Sequence, residues 1–264
     1  MEGKTALLSV KLDLVFKLIF GDQRNTDILA SFLKSILDIP EEEYDRISVV
    51  DPYVKADYPD DKYGILDVKI HTKSGRVIHI EIQVAPIPEM DQRSLYYQSK
   101  MVTEQLGSGQ DYSLIKKVVS IIITDFALAK LSGSDRYHHQ FRYRTGDDIE
   151  LTDLAEINTL ELTKLPLKTD NPDLWNWMKF IETKNEEELE MLATKSPELK
   201  KAVGVLKELS ADERTRMIAE DREKARRDEA SRINGARREG QKEILDLLKS
   251  GISPEEIIRK YGED

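Results

Sequence analysis

The sequence predicts an α/β fold with an α-helical C-terminal region, and three observations carry that prediction. Residues 64–84 alternate apolar and polar side chains with a period of two, the signature of strands. Val118 to Thr124 is a short, β-branched run suited to a central strand buried on both faces. The segments around these strands place apolar residues at helical spacing, and more than half of residues 211–240 are charged.

Taken in order, Leu12 to Leu37 reads as helix with one break. Leu14, Val15, Leu18 and Ile19 recur at helical spacing, Gly21 interrupts, and Ile28, Leu29, Phe32, Leu33 and Ile36 resume. Asp38 and Pro40 end it. A loop follows, with turn chemistry at Asp51-Pro52 and at Tyr58, Pro59, Asp60 and Asp61. From Gly64 to Val84 the even positions are Leu66, Val68, Ile70, Ile78, Ile80, Ile82 and Val84. The odd positions are Asp67, Lys69, His71, His79, Glu81 and Gln83, with Val77 the exception. This pattern predicts two strands with one buried and one polar face, joined at Thr72 to Arg76, where Gly75 suits a left-handed turn position.

Asp91 to Leu106 reads as helix, stopped by Gly107 and Gly109. Tyr137 to Arg144 reads as a strand after the central one, and Leu160 to Leu167 as a further strand at an edge. After Asn171-Pro172 the composition shifts, and helices are expected over 172–181, 186–194 and 197–209. Residues 211–240 hold nine Arg/Lys against eight Asp/Glu, which favours a solvated helix over a basic arm. A coiled-coil seam competes, but Ile218, Ala225, Ile233 and Ile244 keep no clean heptad. Ser253-Pro254-Glu255-Glu256 opens a last short helix. The expected division is a sheet-bearing domain over 1–170 and a helical region over 171–264.

Composition narrows the function. Among 264 residues, 39% are hydrophobic and 34% charged, a balance that fits a modest core with solvated helices attached. No apolar run is long enough for a membrane span, the N-terminus lacks a secretory pattern, and a cytoplasmic location is expected. With no cysteine, disulfides and thiolate metal sites are excluded. A net charge of −10 argues against a globally basic nucleic-acid binder, though not against a local site whose metal supplies the positive charge.

The hairpin supplies that local site. Pairing its strands about Ser74 sets opposite one another residues whose numbers sum to 148, so Asp67 faces Glu81 on the polar face. Directly opposed side chains lie roughly 4.5–5.5 Å apart at Cβ, where two carboxylates repel unless a cation or proton joins them. Oxygen-only ligands suit Mg²⁺ or Mn²⁺, which polarise a phosphodiester and activate water. The competing reading is an ordinary solvated strand face. His71 and His79 sit at different levels of the hairpin, and His138 and His139 point to opposite faces, so no zinc site is expected. Arg93, Tyr96 and Tyr97 could meet a phosphate or a base, or the tyrosines could pack in the core beside Leu95 and Met101.

Asp67 followed by Glu81-Ile82-Gln83 resembles the Asp…(Asp/Glu)-X-Lys signature of the PD-(D/E)XK nuclease superfamily. More narrowly, the chain resembles the Rpn recombination-promoting nucleases, also called PD-(D/E)XK nuclease family transposases. The matching blocks are Asp13 with Phe16-Lys17 and Phe20-Gly21, Phe32-Leu33, Ile80 to Gln83, Arg93 with Tyr96-Tyr97, Gly109 to Tyr112, and Trp175 to Trp177. The resemblance implies a mixed central sheet flanked by helices and a Mg²⁺-dependent DNA endonuclease of recombination or transposition, leaving 5′-phosphate and 3′-hydroxyl ends. It further implies metal ligation by Asp67, Glu81 and the Ile82 carbonyl, with Asp13 as an added acidic residue. Asp13 reads equally well as a helix N-cap. Gln83 stands where the superfamily has lysine; it can orient a water but cannot take its proton. Lys69 could supply the missing charge or be a solvated surface lysine. A homodimer is one expectation, since cutting two strands commonly takes two sites. The rival class is a catalytically inactive nuclease fold that acts through its helical tail.

Overall fold

The computed structural model describes residues 6–50, 53–54, 64–65, 67–87 and 89–261. Two helices come first, α1 (Asp13–Phe20) and α2 (Thr26–Ile36), with the predicted break at Gly21. Short strands β1 (Ser48–Val50), β2 (Tyr53–Val54) and β3 (Gly64–Ile65) follow, then β4 (Val68–His71) and β5 (Val77–Gln83). The expected turns at Asp51-Pro52 and 58–61, and Leu66, lie outside the described residues. Next come α3 (Met90–Thr103), β6 (Val118–Thr124), β7 (His138–Arg144) and β8 (Glu150–Glu161). Helices α4 (Pro172–Glu182), α5 (Glu186–Ala193), α6 (Pro197–Ala211), α7 (Glu213–Lys249) and α8 (Pro254–Tyr261) complete the chain.

Six strands form one mixed sheet in the order β1-β4-β5-β6-β8-β7. The β5, β6 and β8 pairings are parallel, and the outer pairings antiparallel. Between β4 and β5 the register is Val68↔Ile80, Lys69↔His79, Ile70↔Ile78 and His71↔Val77, so every pair sums to 148 as the alternation predicts. Gly75 adopts φ +87°, the left-handed position assigned to it. The loop is held by buried Glu43, which accepts hydrogen bonds from the Thr72 and Ser74 hydroxyls and the Ser74 N–H. The first strand, however, is not continuous from residue 64: Gly64 and Ile65 pair with β2 in a separate two-stranded ribbon.

One face of the sheet carries the main core. Val68, Ile70, Ile78, Ile80, Ile82, Val119, Ile121, Ile123 and Leu160 pack there with apolar residues of α1, α2 and α4–α6. Phe20, Phe32, Trp177 and Phe180 meet at its centre with centroids 5.1–6.5 Å apart, edge to face except for the tilted Phe20–Phe32 pair. The helices after Asn171, grouped in the sequence reading with the tail, therefore share this core, and the compact unit runs through Glu213.

The second face corrects the sequence reading. Alternation predicts one buried and one polar face, yet β5 is buried on both sides, because α3 lies over it with Tyr97 and Met101 against Val77 and Val118. The last strand is corrected too. It spans 150–161 rather than 160–167 and lies inside the sheet between β6 and β7, leaving β7 at the edge. Its acidic residues hid it: Glu156 is held by Lys117, Gln140 and Asn158, and Glu161 by Lys164 and the Leu128 N–H.

The second unit, Arg214–Asp264, contains most of α7 and all of α8. Ion pairs one turn apart, Arg226 and Arg227 with Glu223 and Arg232 with Glu229, run along α7 as expected of a solvated helix. Among the described residues no helix is long and apolar enough to cross a membrane.

Candidate active site

The site gathers where β4 begins and β5 ends. Just before β4, Asp67 turns its carboxylate to β5, and Oδ2 accepts the Ile82 N–H at 2.8 Å, standing in for a ladder partner. The Gln83 carbonyl accepts the Asp125 N–H on the β6 side. Successive residues of a strand direct their backbone groups to opposite sides, so the Ile82 carbonyl points toward Asp67. Asp67 and Glu81 each lie one residue beyond the Val68↔Ile80 pair, and Glu81 is 7% exposed beneath α3.

Both carboxyls are hard to ionise. Burial pushes Asp67 above the ordinary carboxylate range, the Asp13 charge adds to this, and the Ile82 N–H and Lys17 oppose it. Burial likewise pushes Glu81 up, helped by Asp67 and opposed by Arg93. Two like charges that feel one another in a buried site favour an added cation or proton. Two cations stand close: Lys17 Nζ lies 3.4 Å from Asp67 Oδ1, and Arg93 Nη2 donates to Glu81 Oε1 at 3.4 Å.

Helix α1 supplies its part through i,i+4 spacing. Asp13, Lys17 and Gly21 share one face. At Gly21 a methyl group would meet Val68 Cγ2 at 3.4 Å and the Lys17 carbonyl at 2.8 Å, so the end of α1 lies tight on β4 and brings Lys17 to Asp67. Asp13 is not the helix cap. Leu12 holds that position without a side-chain cap bond, and Asp13 occupies the first turn with its charge felt at Asp67. Lys17 is the residue that sequence reasoning missed, although its place one turn after Asp13 was a usable signal.

Other candidates fall differently. Gln83 is half-buried, and its amide donates to the Ala85 carbonyl at 3.2 Å. Lys69 neither faces solvent nor reaches Asp67; it pairs with Glu104 at the end of α3, 3.5 Å away. Tyr97 is buried while Tyr96 and Leu95 are exposed, so only part of the expected packing forms. Arg93 stacks over the Tyr97 ring at 5.1 Å, which holds its guanidinium over Glu81. Among the described residues no three His, Asp or Glu side chains form a ready-made metal cluster. The donor set that fits a hard divalent cation is two carboxylates and a backbone carbonyl, which leaves room for waters and phosphate oxygens.

The chain matches the family described as PD-(D/E)XK nuclease family transposase over residues 10–236. It belongs to that family. The match takes in α1, the whole six-stranded sheet, α4–α6 and much of α7. The mixed sheet with flanking helices is the PD-(D/E)XK architecture, and a nuclease or transposition-related role goes with the family. No curated protein and no solved structure matches the chain.

Proposed function

We propose that this PD-(D/E)XK family member is a Mg²⁺-dependent DNA endonuclease that hydrolyses phosphodiester bonds in recombination or transposition. The observation that supports the reading is a buried Glu81 and a largely covered Asp67, one residue beyond the Val68↔Ile80 pair on either strand, both with raised proton affinity. Asp67, Glu81 and the Ile82 carbonyl would hold Mg²⁺, with Mn²⁺ as a substitute and Asp13 as an added acidic group. When bound, the ion supplies a Lewis acid for the phosphodiester and lowers the pKa of a bound water.

The chain's own residues do the rest. The side-chain oxygen of Gln83 accepts a hydrogen bond and orients a water without taking its proton. Lys17 supplies the fixed positive charge that the motif lacks at residue 83, and Arg93 offers a guanidinium to a neighbouring phosphate. Such local cations let an acidic chain engage DNA at its site.

A supercoiled-plasmid assay tests the reading. Wild type should nick with Mg²⁺ or Mn²⁺, and Asp67→Ala and Glu81→Ala should lose that activity. Equal nicking by all three proteins would sink the enzyme and leave the interaction protein. Lys17→Met should lower the single-turnover rate about a hundredfold, the usual effect of removing one preorganised charge, with partial recovery in Lys17→Arg. A Lys17→Met rate within twofold of wild type would remove Lys17 from the chemistry.

A further inference from the structure

The nuclease chemistry leaves one buried group of the site unused. His79 lies two residues before Glu81 on the same face of β5, 2% exposed, with Nε2 3.9 Å from Glu81 Oε2. Neither of its ring nitrogens has a hydrogen-bond partner among the described residues. Ser120 Oγ, its neighbour across to β6, and Arg93 Nε are also buried without partners among the described residues. An unsatisfied buried polar group destabilises the fold, and a leucine would fill the ring's place without that cost. An imidazole kept there at such expense calls for a second state in which its N–H is used.

Glu81 is the group able to use it. A carboxylate accepts up to about four hydrogen bonds, and among the described residues the side-chain donor to Glu81 is Arg93, at the long distance of 3.4 Å. An imidazole always carries at least one ring N–H that it can give to a carboxylate oxygen. Closing 3.9 Å to a hydrogen bond takes a shift of about an ångström, which side-chain rotation of Glu81 supplies.

We propose that His79 is a positioning residue: its ring N–H fixes the rotation of the Glu81 carboxylate so that one oxygen faces Asp67 in the geometry a divalent cation needs. The proposal rests on the reading of Asp67 and Glu81 as cation ligands. Groups that hold a ligating carboxylate typically set metal affinity by 10–100-fold.

Thermal unfolding of the full chain under Mn²⁺ titration reads this without recourse to nuclease activity, because a cation that binds only the folded state raises its stability with concentration. Wild type should be stabilised. His79→Leu should need about tenfold more Mn²⁺ for the same rise. His79→Gln, whose amide N–H takes the place of Nε2, should stay within about threefold of wild type. If wild type shows no rise, the cation site itself fails and the role of His79 falls with it. If wild type responds and His79→Leu matches it, or His79→Gln does no better than His79→Leu, the positioning role alone is overturned. Should His79→Leu not fold, the ring ¹⁵N–¹H signal of His79 in wild type decides: it should move on adding Mg²⁺, and an unmoved signal overturns the proposal.

Discussion

Glu81→Gln is expected to lower metal-dependent nicking about a thousandfold while making the metal-free protein more stable than wild type. The loss follows from removing one of two charged ligands: several kcal/mol of transition-state stabilisation, at about 1.4 kcal/mol per tenfold. The gain follows from the direction in which burial moves the carboxyl. Folding raises Glu81 above its ordinary 4.5, so the folded protein holds this proton more tightly than the unfolded chain. Its favourable contribution is complete below 4.5 and is lost as pH rises through the higher folded value. At neutral pH the ionised group therefore weakens the fold, and a neutral amide of the same shape does not. The variant is expected to unfold at a higher temperature than wild type at pH 7, and the difference should vanish as the pH is brought below the ordinary carboxylate range. Calorimetry at pH 7 and pH 4 in chelator measures both arms. A lower unfolding temperature for the variant at pH 7 would show that Glu81 is a structural ion-pair partner of Arg93 and not a strained ligand.

Trp177→Ala should be the most destabilising single change, at about 3–5 kcal/mol, or roughly 10 °C or more in the unfolding temperature. Trp177 is 2% exposed and touches Phe20, Phe32 and Phe180 within 6.0 Å, so truncation opens a cavity where α1, α2 and α4 meet. The same helix contains a control. Trp175 is only half-buried, and its indole N–H donates to the Pro166 carbonyl. Trp175→Phe should cost about 1 kcal/mol, the worth of one hydrogen bond. Equal losses at the two positions would mean that α4 is peripheral to the nuclease core. Because α1 holds Asp13 and Lys17, the Trp177 variant should also blunt the response to Mn²⁺ before it unfolds.

The hairpin was legible because two independent constraints agreed there. Apolar residues at every even position set the face, and Gly75 set the turn, so the register of β4 on β5 followed without knowledge of any neighbour. Asp67 opposite Glu81 is a consequence of that register. What covers the polar face was not legible, because alternation reports which residues share a side and says nothing of what lies over it. The burial of His79 and Glu81 depends on α3, whose contacts through Tyr97 and Met101 are long-range. The strand β8 escaped for a related reason: Glu156, Asn158 and Glu161 break any apolar period, and each is satisfied by partners distant in sequence. Lys17 was hidden in an amphipathic helix, where a lysine on the less apolar side reads as solvent-facing until β4 is placed beside it.

The parallel ladders also govern when the fold can form. β5 meets β6, and β6 meets β8, through segments about forty residues apart, while the apolar face they create is closed by side chains as late as Leu206 on α6. A ribosome that has delivered only the hairpin has made Asp67 and Glu81 but no enclosure for them. Emergence of α4 to α6 is the event that shuts the core. The highly charged α7 is translated directly afterwards, so the last apolar surface is withdrawn from water while a well-hydrated stretch is leaving the exit tunnel.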